Sequence, residues 1–153
     1  MKTTVRILIL LLASVVAAAC THNNGDIGPL FGTWALDRMT VDGTDATLPD
    51  DADTFIQFQS KVVMVKLIGE RATLLEYRVG SWQREGDVLK LDFNHYDDER
   101  EPGTGLYEAP AWLHFQPKGI TTLRVVQLKG GGMRLEQTTP EGEHIEYEFH
   151  KTY

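Results

Sequence analysis

The histidine and acidic side chains of this 153-residue chain show no spacing typical of a metal or catalytic centre. The histidines stand at positions 22, 95, 114, 144 and 150, and none belongs to an H-E-x-x-H pattern. His144 and His150 lie on one face of a predicted strand about 20 Å apart, too far to share one ion. The acidic runs Asp50–Asp53 and Asp97–Glu99 do not fit the register of a calcium-binding loop. We therefore expect no metal and no cofactor.

Nucleophilic side chains are equally uninformative. After the N-terminal segment, serine occurs only at Ser60 and Ser81, and Gly80-Ser81-Trp82 does not form a nucleophile elbow. The glycines at 130–132 join two predicted strands, so they lack the strand-to-helix context of a phosphate-binding loop. No spacing of carboxylates indicates a glycosidase pair. The sequence therefore predicts a protein that is not an enzyme.

Cys20 is the single cysteine, and its position is informative. Lys2 and Arg6 precede an apolar run over Ile7–Val16, and the small residues Ala17–Ala19 stand directly before Cys20. This is the pattern of a secretory signal, and its apolar run is shorter than the ~20 residues of a membrane-spanning helix. We predict a lipoprotein signal peptide over residues 1–19, with palmitate-type acyl chains on Cys20. Ordinary signal peptidase cleavage, which leaves a free thiol, is the alternative.

The rest of the chain divides into a polar tether over residues 20–29 and a domain over 30–153. The formal charge is −7, and loss of Lys2 and Arg6 with the signal makes it −9. This acidity argues against nucleic acid and against electrostatic adsorption to anionic lipid. The lipid on Cys20 is thus the expected membrane contact. We expect an anchored protein of the bacterial cell envelope, in the outer membrane, facing the periplasm or the exterior.

Alternation of apolar and polar residues predicts the fold of the domain. It indicates eight strands: Trp34–Val41, Phe55–Gln59, Val62–Ile68, Leu74–Trp82, Val88–Phe93, Thr121–Leu128, Met133–Thr138 and His144–His150. The links between most of them are short, which favours an all-β, eight-stranded antiparallel up-and-down barrel. A two-sheet β-sandwich is the alternative. Gly80, inside the fourth predicted strand, indicates a bulge or a bend.

The same alternation assigns one face of each strand to a candidate ligand cavity or barrel core. This predicted interior consists of Trp34, Leu36, Phe58, Val63, Val65, Tyr77, Val79, Leu89, Leu91, Phe93, Met133, Leu135, Tyr147 and Phe149. An eight-stranded barrel can be filled by side chains or can hold one small ligand, and both readings stay open. The run Val62–Val65 is apolar on both faces, which indicates that its outer side is covered.

The connection over residues 94–119 is long for a loop without structure of its own. Its first half, His95–Glu101, is acidic, and its second half carries the aromatic residues Tyr107, Trp112 and Phe115. We predict a candidate lid over the mouth of the barrel, with one helical turn or a short strand near residues 111–115. The alternative is that these aromatic side chains simply pack against the barrel wall.

Several of these features together resemble the small lipocalin-like lipoproteins of Bacteroidetes-type bacteria. They are Cys20 after its signal, Gly32-Thr33-Trp34 at the head of the first strand, the early hairpin Phe55–Lys66 and the closing Tyr147-x-Phe149-x-Lys151. The resemblance implies that Trp34 closes one end of the barrel beneath a basic residue of the last strands, either Arg134 or Lys151.

The expected function follows from this resemblance and from the aromatic interior. It is non-catalytic binding of a small apolar or amphipathic molecule within the barrel of a membrane-anchored protein. The alternative is a structural or interaction module with a filled core. Such a module would meet a protein or glycan through Val62 and Met64 or through the 94–119 connection.

Overall fold

Strands formed by the alternating segments close into a barrel in the computed structural model, which describes residues 28–48, 51–93 and 107–152. The eight barrel strands are β1 (Gly32–Val41), β3 (Ala52–Gln59), β4 (Val62–Gly69), β5 (Thr73–Glu85), β6 (Val88–Asp92), β7 (Ile120–Lys129), β8 (Gly132–Thr138) and β9 (His144–Lys151). Each pairs antiparallel with the next, and β9 pairs back onto β1. A two-residue strand, β2 (Thr44–Asp45), extends the edge of β1. The structure thus confirms the predicted up-and-down barrel, and the closure by β9 rules out the two-sheet alternative.

The barrel has two ends, which differ in what closes them. At the Trp34 end, β1 begins, β9 ends, and the β3–β4, β5–β6 and β7–β8 hairpins turn. At the mouth, β1 and β6 end, β7 begins, and the β4–β5 and β8–β9 hairpins turn.

Trp34 closes its end of the barrel from within. Its side chain is almost fully buried, and its indole Nε1 donates a hydrogen bond of 2.8 Å to the Leu30 carbonyl. The Lys151 ammonium lies 5.3 Å from the centre of the Trp34 ring, a cation–π contact. Of the two basic residues implied by the resemblance, Lys151 therefore occupies the place over the tryptophan.

Side chains fill the barrel from the Trp34 end to its centre. Most of the predicted interior lies in one buried cluster: Trp34, Phe58, Val63, Val65, Leu89, Leu91, Phe93, Met133, Leu135, Tyr147 and Phe149. Ile56, Phe58 and Val63 have no surface accessible to water, so protein atoms surround them completely. Leu36 is half-buried against this cluster, beside an irregularity in the pairing of β1 with β9 between Leu36 and Arg38.

Strand β5 is inverted relative to its predicted orientation. Val63 and Val65, both fully buried, lie opposite Gly80 and Arg78, so Gly80 and Arg78 face the interior. Tyr77 and Val79 lie opposite Lys66 and Met64 on the outer face. The prediction that Tyr77 and Val79 point into the barrel is therefore wrong. The register with β4 determines which face of β5 points inwards. The apolar residues Tyr77 and Val79 therefore face outwards.

Gly80 is explained by a close approach of β6 and not by a bulge. A Cβ atom at this position would lie 2.5 Å from the Asp92 carbonyl oxygen and 2.9 Å from the Phe93 ring. The irregularity of β5 lies nearer its start, where the pairing with β4 shifts between Leu67 and Ile68. Glycine at position 80 thus lets β6 and Phe93 close against the inner wall.

Helical structure among the described residues consists of two short 3-10 turns, Glu70–Ala72 and Ala111–Leu113. The second confirms the predicted helical turn in the long connection. Within the described ranges, no helix has the length and apolarity needed to cross a membrane. Cys20, the tether before Gly28 and the acidic half of the 94–119 connection lie outside the described residues.

Candidate ligand site at the barrel mouth

The second half of the long connection enters the barrel mouth as a plug, which we define as residues 110–116. Leu113 is fully buried, and Phe115 is 4% exposed. The Phe115 ring packs 6.1 Å from the Phe93 ring and 5.9 Å from the Tyr147 ring, centre to centre. Two of its apolar side chains therefore complete the core from the mouth side.

Hydrogen bonds from the barrel wall hold the backbone of the plug. The Tyr147 hydroxyl donates to the Leu113 carbonyl at 2.6 Å, and the Gln137 amide donates to the His114 carbonyl at 2.7 Å. The backbone N–H of Gln116 donates to the Thr121 hydroxyl at 2.8 Å. Burial raises the pKa of Tyr147 well above its ordinary value, so the donating proton is retained far into the alkaline range. The plug is therefore fastened at several points.

The predicted lid residues do not share one environment. Phe115 belongs to the buried core, Tyr107 is half-buried, and Trp112 is half-buried against the inner wall. The Trp112 indole donates a hydrogen bond of 3.2 Å to the Thr54 hydroxyl, which fixes the ring over β3.

A polar cluster lies on the inner wall beneath Trp112. The Arg78 guanidinium lies 5.9 Å from the centre of the Trp112 ring. It also forms an ion pair with Glu76, with Nη2 and Oε2 2.9 Å apart. The Arg78 side chain is 17% exposed and the Glu76 side chain 43% exposed. We name Thr54, Glu76, Arg78 and Trp112 the mouth cluster.

The mouth cluster combines a charged group with an aromatic face at the boundary between core and solvent. A guanidinium presents a planar set of N–H donors that suits carboxylate, sulfonate or phosphate groups. Its desolvation is costly unless a counter-charge is close, and Glu76 supplies that charge in the described structure. The indole offers apolar surface beside it. Such an arrangement suits a small molecule with one polar and one apolar part.

The outer face of β4 and β5 carries the apolar residues for which the sequence predicts a cover. Val62 is 40% exposed, and Met64 is half-buried. The Tyr77 hydroxyl contacts the Met64 sulfur at 3.0 Å, and the Lys66 ammonium lies 5.7 Å from the centre of the Tyr77 ring. Side chains of the outer face thus partly cover one another.

A second cluster, Glu136, His144 and Glu146, lies on the outer face of β8 and β9. One ligand atom from each residue lies within 4.8 Å of the others, close enough to hold a divalent ion. Glu136 and Glu146 are direct cross-strand partners, and Arg124 forms an ion pair with Glu136. The guanidinium offsets the repulsion between these carboxylates, which gives the cluster a structural explanation.

This second cluster was not predicted from the sequence. The spacing of the histidines along the chain does not show which acidic side chains lie beside them on the next strand. The register of the β8–β9 hairpin, set by the turn at 139–143, brings Glu136 opposite Glu146. Pairing the two predicted strands across that turn was the signal that could have found it. Comparison with known proteins adds no assignment: no family model and no curated protein matches the chain.

Proposed function

We propose that this protein binds a small amphipathic molecule non-catalytically at the barrel mouth, as a lipid-anchored protein of the bacterial cell envelope. The observation that carries the binding proposal is the inversion of β5. It places Arg78 on the inner wall of a barrel whose core is mainly apolar, beneath Trp112. The signal pattern before Cys20 supports the anchored location.

The filled core decides where such a ligand lies. Side chains with no accessible surface occupy the central barrel, so we place the ligand at the mouth and not deep inside. Its anionic group contacts Arg78, in place of or beside Glu76, and its apolar part lies along Trp112. Inward-facing charge in a strand whose apolar residues Tyr77 and Val79 face outwards breaks a local rule of folding, and such breaks concentrate at functional sites.

A fluorescence titration tests this assignment. The probe is anilinonaphthalene sulfonate, an aromatic anion that becomes fluorescent in apolar surroundings, and fatty acids serve as competitors. We expect Arg78→Met to weaken binding of the probe about tenfold or more, because a charge-assisted hydrogen bond contributes roughly 1.5–3 kcal/mol. Trp112→Leu removes the aromatic surface and should weaken binding as well.

Arg124→Met is the matched control, because Arg124 pairs with Glu136 on the outer face, away from the mouth. Circular dichroism and a urea unfolding curve establish that each variant is folded. Wild-type affinity in folded Arg78→Met, or an equal loss in Arg124→Met, would refute the assignment.

A further inference from the structure

We propose that the Trp34 end of the barrel rests on an anionic lipid bilayer, with Phe31 and Val62 as its apolar contacts. This inference rests on the proposed acylation of Cys20, and it adds an orientation: the mouth points away from the membrane. A lipid surface is thus the partner to which we assign this end of the molecule.

The position of the anchor relative to the barrel supports this orientation. Seven residues lie between Cys20 and Gly28, so the connecting chain of eight Cα-to-Cα steps spans at most about 28 Å. The turn that follows, Gly28–Leu30, belongs to the Trp34 end, because the Leu30 carbonyl accepts the hydrogen bond from the Trp34 indole. Ten-residue strands tilted as in a barrel give a height of about 25 Å. The segment that leads to Cys20 therefore joins the barrel at the Trp34 end.

Exposed apolar side chains are available for this contact at the rim of the Trp34 end. The mouth carries others, Leu74, Leu75 and Ile120, so the charge and the direction of the anchor distinguish the two ends, and apolar exposure does not. Phe31 is 42% exposed and Val62 is 40% exposed. Gly32, next to Phe31, pairs with Phe58, and Val62 pairs with Gln59, so both side chains stand at the Trp34 end of the two strands that flank β3. An aromatic residue and a valine at a rim are suited to the interfacial layer of a bilayer.

The charge distribution of the described residues distinguishes the two ends. Lys61 lies in the β3–β4 turn, Lys129 ends β7 and Lys151 ends β9 at the Trp34 end. The β5–β6 hairpin at the same end adds Arg84, Glu85 and Asp87, so cations outnumber carboxylates there. The residues around the mouth are mainly carboxylates, with Arg71 and Lys118 as cations among them: Asp42, Asp45, Asp51, Asp53, Glu70, Glu141 and Glu143. Although the chain as a whole is acidic, an anionic surface therefore attracts the Trp34 end and repels the mouth.

Site-specific quenching in vesicles tests the orientation. Acylation consumes the thiol of the single native cysteine, so one introduced cysteine carries one fluorophore. Gln59→Cys and Lys129→Cys report on the Trp34 end, and Glu70→Cys and Glu141→Cys report on the mouth. The mature lipidated protein is reconstituted into phosphatidylethanolamine–phosphatidylglycerol vesicles that carry nitroxide-labelled headgroups. We expect at least twofold stronger quenching at the Trp34 end. Equal quenching at the two ends, or stronger quenching at the mouth, would overturn the proposal.

Paired variants identify the contacts. Phe31→Ser with Val62→Ser should bring the quenching ratio between the ends towards one. The matched control, Leu74→Ser with Ile120→Ser, changes two exposed apolar residues at the mouth and should leave the ratio unchanged. Equal effects of the two pairs would overturn the proposal.

Two further measurements separate the possible failures. A ratio that grows with protein density would indicate a second copy of the chain on the rim, which also overturns the proposal. The intact mass reports acylation: protein without acyl chains refutes the anchor and the orientation together. Acylated protein with equal quenching at both ends refutes the orientation alone.

Discussion

Replacement of Tyr147 by phenylalanine tests how the plug is held in the mouth. The variant keeps the ring stacked in the core but removes the hydroxyl that donates to the Leu113 carbonyl at 2.6 Å. Leu113 has no accessible surface, so water cannot replace the lost donor. A buried carbonyl left without its partner costs about 1–3 kcal/mol. We therefore expect Tyr147→Phe to lower the free energy of unfolding by about 2 kcal/mol and Tm by about 5–10 °C.

Tyr77→Phe is the matched control for this experiment. The Tyr77 hydroxyl contacts only the sulfur of Met64 among the described residues, on the outer face, where water can take its place. The same chemical change should therefore alter the free energy of unfolding by less than about 0.5 kcal/mol. Urea unfolding followed by tryptophan fluorescence measures both variants, with equal m-values as the check on two-state behaviour.

The pH dependence gives an independent reading of the same contact. Burial raises the pKa of Tyr147 in the folded protein above its unfolded value of about 10. Above pH 10 the unfolded chain loses this proton and the folded chain keeps it, so the contribution of Tyr147 to stability falls as the pH rises. The difference between wild type and Tyr147→Phe should consequently shrink between about pH 8 and pH 11. Equal losses in Tyr147→Phe and Tyr77→Phe, or a difference that does not change with pH, would refute this account of the plug.

Two further substitutions test the packing of the barrel. Gly80→Ala should lower the free energy of unfolding by about 1–3 kcal/mol, because the added Cβ meets the Asp92 carbonyl and the Phe93 ring. Gly132→Ala is the control: its Cβ has its nearest neighbour at 3.6 Å, so the free energy of unfolding should change by less than about 0.5 kcal/mol. Equal unfolding curves for the two would contradict the close approach of β6. Lys151→Met should lower the free energy of unfolding by about 0.5–1 kcal/mol and shift the fluorescence emission of Trp34, because it removes the cation–π contact. Arg134→Met should leave that emission unchanged. A shift in the Arg134 variant alone would reverse the assignment.

Much of the barrel could be predicted from the sequence because its strands alternate cleanly. In β9, Ile145, Tyr147 and Phe149 face the core, and the charged residues between them face outwards, as the pattern indicates. A period of two fixes which residues share a face, and the short turns fix which strands are neighbours. Closure of the sheet then follows from the need to leave no strand edge exposed.

The mouth cluster could not be predicted from the sequence. Both faces of β4 are apolar, and the alternation of apolar and polar residues in β5 indicates the opposite orientation to the one that the strand adopts. Tyr77 and Val79 are more apolar than Arg78 and Gly80, so alternation alone places the wrong pair inside. The register between β4 and β5 depends on the packing of the whole sheet and cannot be read from either strand alone. Gly80 reflects this register only because β6 lies so close to it that no side chain fits. The position of Trp112 over Arg78 depends in turn on the anchoring of the plug by residues far away in sequence.

Native mass spectrometry of the mature protein, gently extracted from its own membranes, tests the proposed ligand site most directly. The proposal predicts a reproducible added mass beyond that of the acyl chains. It also predicts that folded Arg78→Met loses this mass while folded Arg124→Met retains it. A wild-type mass that consists of protein and acyl chains alone, or an added mass that persists in Arg78→Met, would contradict the proposal.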